Sequence, residues 1–428
     1  MKVGFSVLAC AVCAVLRLSA ATIDPSSVTL TQTAPNDVTI GYTLGGNSAI
    51  VTFDVETNVT GDVWASIGGE HCRTVEGAVN TVVQPGARTF RWRARKDWPD
   101  QKLATGKVRA VVKAWPLSSP PDWLVVDTET GSIAYYATRE QFPGGFGSDL
   151  YKTRQFVMHR IKAAGVLWEM GGWAMPYSKS PKHDVILSDD FYVGIYEMTE
   201  RQYANIFTKA GCSTMTSPGG KTFSNADLSK FSFADDGKRP AGSFSYDELR
   251  DLDATVSWPG NGHDVADVSF FGAMRNFTGN HLQFDLLTEA QWEYACRAGA
   301  PSDWKFCYGS DESLLSEYGW VCEASGTLCH EVGCKKPNGW WLYDMYGNGI
   351  EFCLDWYYDN GSSARAIDPV GPTTSVSSGD SKNARCARGW NNTGVISYSY
   401  SSARYRNPPA TASRDFSIRV ACPVRYKE

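Results

Sequence analysis

Asn348 and Glu351 sit three residues apart around Gly349. That type and spacing lets oxygen atoms converge on a hard cation, and it predicts a structural Ca²⁺ site on Asn348, Gly349 and Glu351. The same two side chains could instead bond local backbone, and residue types alone leave both readings open. A second group with chemistry in it is Cys322, Cys329, His330 and Cys334. It contains no CxxC pair, so zinc is the weaker reading and disulfide bonding the stronger. Glu289 and Glu293, four apart, have the look of paired catalytic carboxylates. On a helix they read better as a favourable N-terminal charge and as a partner for backbone or Arg. A fourth group is Trp390, Asn391, Asn392, Tyr398, Tyr400 and Arg404. Asn, Tyr, Trp and Ser make adaptable polar and aromatic contacts, as in antibody loops, which points to a glycan or protein ligand on a surface. The competing reading is that these rings fill an aromatic core.

The elements that must position these groups centre on residues 337–357, Pro-Asn-Gly-Trp-Trp-Leu-Tyr-Asp-Met-Tyr-Gly-Asn-Gly-Ile-Glu-Phe-Cys-Leu-Asp-Trp-Tyr. So much Gly and Asn excludes a regular helix, and so many aromatics exclude a solvated loop. An irregular, mostly buried segment is expected. Thr199 with Gln202 and Thr288 with Gln291 read as capping boxes that open two helices, and Ser269 as the cap of a third.

At 428 residues the chain exceeds what one core fills, so two domains are expected. Residues 1–21 read as a cleaved signal peptide, from Lys2, the apolar run Val7–Leu16 and the small residues Ser19-Ala20-Ala21. They direct the chain to the periplasm, the cell surface or the medium. The apolar run is too short to span a bilayer, and no other stretch looks transmembrane. Ten of the twelve Cys follow this segment, an even number that suggests disulfides in an exported protein. A net charge of -5 without a basic run gives no sign of nucleic-acid binding. Residues 22–117 carry short β-type runs about ten residues apart and predict an immunoglobulin- or fibronectin-like sandwich. Residues 118–153 open on Ser-Ser-Pro-Pro and read as a linker and connecting segment, with the second domain over 154–428.

The segment Leu342-Tyr343-Asp344-Met345, Gly347-Asn348, Glu351, Asp355-Trp356-Tyr357 resembles the core motif of the formylglycine-generating enzyme, or sulfatase-modifying factor, family. Trp341 stands where that family usually has Gly, and Phe352 where it has Trp. Further stretches are similar: Phe191–Thr199, Asp264–Ala273, Leu286–Ala295, Arg388-Gly389-Trp390, Ser401–Asn407 and Phe416–Ala421. The resemblance covers about 270 residues. It implies an α+β domain of C-type-lectin-like type, with the sandwich outside it, and marks His183 as a buried structural histidine.

The resemblance also implies an activity: copper-dependent oxidation of a sulfatase cysteine to formylglycine, on a Cys pair between the closing Gly and the following Arg. Here that interval, Gly389 to Arg404, holds no Cys and no His. Soft thiolates are what Cu(I) needs, so copper and oxidase activity are not expected, and a binding module is. The oxidase is the alternative. The flanking Cys386 and Cys422 are expected to form a disulfide. The family's iron-dependent branch uses a His-x-x-x-His-x-Glu motif that is absent from this sequence.

Overall fold

The computed structural model describes residues 20–34, 37–101, 106–172, 181–223, 228–320, 329–358, 364–375, 383–390 and 396–427. Most of the expected signal peptide, together with Cys322, Asn391 and Asn392, lies outside them.

Alternation builds the N-terminal part. Strand Asp37–Gly45 turns Val38, Ile40, Tyr42 and Leu44 inward. It pairs antiparallel with Gly86–Trp92, Ile40 facing Phe90, and with Thr29–Ala34. The second sheet is built on Ala49–Thr60, which pairs antiparallel with Val108–Pro116, Val63–Ser66 and Thr81–Val83. The two sheets share one core around Phe53, Phe90 and Trp92. Strand Gly86–Trp92 ends at Trp92, and Ala94–Asp97 forms a short helical turn.

The Ser-Ser-Pro-Pro stretch is not an open tether. Pro120 and Pro121 are buried, and their carbonyls accept hydrogen bonds from Arg160 and Tyr192. Trp123–Asp127 follows at once as an inner strand of the second domain, in a five-stranded antiparallel sheet ordered Ile133–Tyr136, Trp123–Asp127, Gln155–Ile161, Phe191–Gly194, Ala421–Pro423. The sandwich is joined to this domain by more than chain. Ile50 lies in the large core of the second domain, Trp115 packs on it, and buried Gln141 donates to the Phe53 carbonyl at 2.7 Å.

Three helices face this sheet's cores. Glu200–Lys209 and Glu289–Arg297 open on the capping boxes of Thr199/Gln202 and Thr288/Gln291, and Phe270–Phe277 on Ser269. A four-stranded sheet ordered Tyr405–Asn407, Arg385–Arg388, Ile350–Trp356, Phe416–Ser417 holds the motif residues. A third, small sheet joins Leu167–Met170, His183–Ile186 and Ala366–Ile367. Gln155–Ile161 and Leu167–Met170 therefore enter different sheets, although a turn between them reads locally as a hairpin. His183 is half-buried rather than buried, its Nδ1 at 2.9 Å from the Pro181 carbonyl oxygen.

Residues 337–349 are irregular, and a regular strand begins at Ile350. Trp341 shows why the motif prefers Gly there: its φ is 63°, in the left-handed region. Arg139 lies over its ring, 3.4 Å from the centroid, and the ring packs on Phe146. Those contacts offset the local strain of a side chain at this position.

Candidate functional site

Two buried charge networks flank strand Ile350–Trp356. The first is centred on Glu351. Both of its oxygens face the Arg419 guanidinium, the shortest contact being 2.7 Å, and Trp292 Nε1 donates to it at 2.6 Å. Arg419 also donates to the carbonyls of Gly194 and Tyr343. Glu197 lies alongside, in no ion pair of its own among the described residues. It accepts from the Gly349 amide at 2.9 Å, from Asn348 Nδ2 at 3.0 Å and from Ser417 Oγ at 2.6 Å. Burial, and then the charge of Glu351, push its carboxyl well above the usual range. Asp344 accepts from the Gly333 amide at 2.6 Å, and burial raises its carboxyl to about 6.

The structure thus brings Asn348, Gly349 and Glu351 together, but not as a cation cradle. The Glu351 carboxylate already faces a guanidinium, Asn348 Oδ1 accepts from the His330 amide, and Gly349 contributes its N–H rather than its carbonyl. These residues do not fit calcium as placed, since a cation would have to displace Arg419. Among the described residues no three His, Cys, Asp or Glu side chains cluster in a metal-binding arrangement. EDTA is accordingly expected to leave the melting temperature unchanged. A fall that added calcium reverses would restore a cation to this segment.

The second network lies at the start of helix Glu289–Arg297. Arg404 forks onto Glu289 at 2.6 and 2.8 Å, and Arg388 bridges Glu289 and Glu293 at 3.0 Å each. Glu293 is also held by Arg297 and by the Gly171 amide. Burial works against ionisation of Glu289, but Arg404 and Arg388 outweigh it and bring its carboxyl down to about 2. Glu289 and Glu293 are therefore buried counter-ions, not an open acid–base pair. Arg404, expected as a ligand contact, is 5% exposed and committed to Glu289. Asp355 accepts from the Glu289 amide at 2.6 Å; burial and the Glu289 charge raise its carboxyl to about 7. Asp355, Glu289, Arg404, Tyr358 and His183 line a cleft of about 30 Å³, room for roughly one water.

The surface beyond these networks is aromatic. Trp390 lies 4.7 Å from Tyr398 and 4.3 Å from Tyr405, centroid to centroid, and all three rings are half-buried. Tyr400 belongs to a different group: it packs on Phe306, and its hydroxyl donates to Glu312 at 2.6 Å. The structure brings Trp390 and Tyr398 together with Tyr405, which was not among the expected contacts, and places Tyr400 and Arg404 in other groups. The pairing of Tyr405–Asn407 with Arg385–Arg388 is what delivers Tyr405 to Trp390, and no local pattern announces that pairing.

The expected Cys386–Cys422 bond is absent, and the described cysteines are free thiols. The two lie in different cores. Cys386 faces the side of the sheet that packs on helix Glu289–Arg297, whereas Cys422 packs with Phe156, Tyr135 and Tyr192.

These features define an α+β domain whose motif strand is pinned by two buried Arg–Glu networks, preceded by a β-rich module. Residues 153–424 match the Sulfatase-modifying factor enzyme 1-like domain, and the chain belongs to that family. It is 26% identical over 256 residues to the formylglycine-generating enzyme of Bos taurus, a match covering 54% of this chain and 66% of that protein. It is 30% identical over 156 residues to the formylglycine-generating enzyme of Streptomyces coelicolor, covering 32% and 46%. It is 23% identical over 210 residues to the chaperone protein LppX of Paenibacillus barcinonensis, covering 45% and 71%. The chain thus spans just under two thirds of the bovine protein and less than half of the Streptomyces one. Among solved structures, Treponema denticola variable protein 1 overlays with a TM-score of 0.44 at 24% identity, covering 63% of this chain and 95% of that one. PvdO from Pseudomonas aeruginosa overlays with a TM-score of 0.44 at 20% identity, covering 62% and 94%. No helix among the described residues is long and apolar enough to cross a membrane.

Proposed function

We propose that this member of the family is an exported binding module that holds a glycan or a protein ligand against Trp390, Tyr398 and Tyr405, without oxidase activity. The observation that carries this reading is the cluster of three half-buried rings at one end of the four-stranded sheet. Half-buried aromatics offer flat apolar faces with polar edges, at small entropic cost on binding. The sandwich, joined through Ile50 and Gln141, gives this face a fixed mount.

The thiols speak against the oxidase. Copper(I) chemistry needs accessible thiolates. Gly389 to Arg404 contains no Cys, and the thiols nearest in the sheet, Cys353 and Cys386, are fully buried. Burial, with a smaller push from neighbouring negative charge, drives both well above the ordinary thiol range. The names of the bovine and Streptomyces relatives favour the other reading, so the decisive measurement is copper-dependent oxygen consumption with a peptide carrying a sulfatase-type Cys. No turnover is expected; turnover would overturn the proposal in favour of the oxidase. Glycan and peptide arrays then test binding directly. The double variant Trp390→Ala/Tyr398→Ala is expected to weaken the best array hit by about 30-fold, from the ~2 kcal/mol of an aromatic hot spot. Unchanged affinity in a variant with wild-type circular dichroism would remove this face from the binding site.

A further inference from the structure

Strand Ile350–Trp356 runs antiparallel to Arg385–Arg388, with Glu351 opposite Arg388 and Phe352 opposite Ala387. One residue further along each strand stand Cys353 and Cys386, inside the stretch between Phe352 and Trp356 where the register shifts. Facing residues of an antiparallel pair point to the same side of the sheet. The packing agrees: Phe352 and Ala387 lie in one core, and Cys353 and Cys386 lie together in the other. Both thiols are 0% exposed. After burial, Cys386 is the largest influence on the Cys353 thiol.

We propose that Cys353 and Cys386 are a disulfide-forming pair. Each adjoins the facing pair Phe352–Ala387, and the two share one core; facing antiparallel residues have Cα atoms about 4.5–5.5 Å apart, so neighbours of such a pair on one side of the sheet come near the roughly 4.4–6.8 Å that a disulfide spans. Because both thiols are enclosed in the finished fold, the bond forms as the strands come together. The oxidant is a small-molecule disulfide. One cysteine thiolate attacks it, releasing one thiol and leaving a mixed disulfide; the second cysteine thiolate then displaces the other. An S–S bond replaces two S–H bonds, and the two electrons and two protons leave with the two small thiols. The bond would fix the strand carrying Arg388, which bridges Glu289 and Glu293, and which leads directly into Trp390.

The test uses the whole chain folded in a buffer of reduced and oxidised glutathione. Free thiols are capped under denaturing conditions without reduction, and the digest is mapped by mass spectrometry. A peptide pair joining Cys353 to Cys386, lost on reduction, is expected. Reduction should also lower the melting temperature by about 5–10 °C, and Cys353→Ala/Cys386→Ala should lack that response. Capping of both residues as free thiols would overturn the proposal, as would a bond from Cys386 to Cys422. If the double variant does not fold, the peptide map of the wild-type chain decides alone.

Discussion

Arg419→Met is expected to cost about 3–5 kcal/mol of folding stability, the range for breaking a buried ion pair by removing one partner. Met keeps the apolar stem and removes the guanidinium, so the loss is mainly electrostatic. Arg419 and Glu351 are each 1% exposed, and the guanidinium satisfies both Glu351 oxygens and two backbone carbonyls. Arg419 also lies within electrostatic reach of the Glu197 and Asp344 carboxyl groups. Without it Glu351 keeps the Trp292 N–H but no counter-charge. Arg419→Lys should fall between the two, because a point charge cannot reproduce the planar fork. Urea denaturation at neutral pH measures the difference. A loss below about 1 kcal/mol would show that the pair only balances its own desolvation cost.

This network also marks where the sequence stops being legible. The capping boxes of Thr199 and Thr288 were readable because each closes within four residues. The β-rich character of residues 22–117 was readable from short runs of β-type residues at about ten-residue spacing. The buried character of residues 342–355 followed from composition, and the family from the motif. Partners across the fold were not readable. Glu351 looked like a calcium ligand because Arg419 lies 68 residues away in the chain, and only the parallel pairing with Phe416–Ser417 brings that segment alongside. Arg404 looked like a surface contact for the same reason: Glu289 is 115 residues away. Cys386 was paired with the next cysteine in the sequence, whereas it shares a core with Cys353 and not with Cys422. For Glu351 and Arg404 the partner lies far along the chain, beyond anything that local spacing shows.

Asp355→Asn is expected to be more stable than the wild type above pH 7 and equal to it near pH 4. Asp355 is 2% exposed and sits at the start of helix Glu289–Arg297, where a negative charge is normally favoured. Burial and the charge of Glu289 outweigh that advantage and raise its carboxyl to about 7. In the unfolded chain an Asp ionises near 3.9. Between about pH 4 and 7 the folded protein therefore holds a proton that the unfolded chain has lost. Stability from this group is complete at the acid end of the window and declines as pH rises through it. Asn keeps an oxygen for the Glu289 amide and does not titrate, so the variant escapes the decline. The gap should open to on the order of 3 kcal/mol by pH 8. Asp344, raised to about 6, adds a decline of the same sign, but it is common to both proteins and cancels in their difference. Glu289 runs the other way: held at about 2, it contributes stability above the ordinary carboxylate range that is lost only in strong acid. Denaturant titrations of the two proteins at pH 4, 5.5 and 8 test this. A difference that does not vary with pH would mean that Asp355 is ionised throughout, with Arg404 rather than a proton balancing its charge in the cleft.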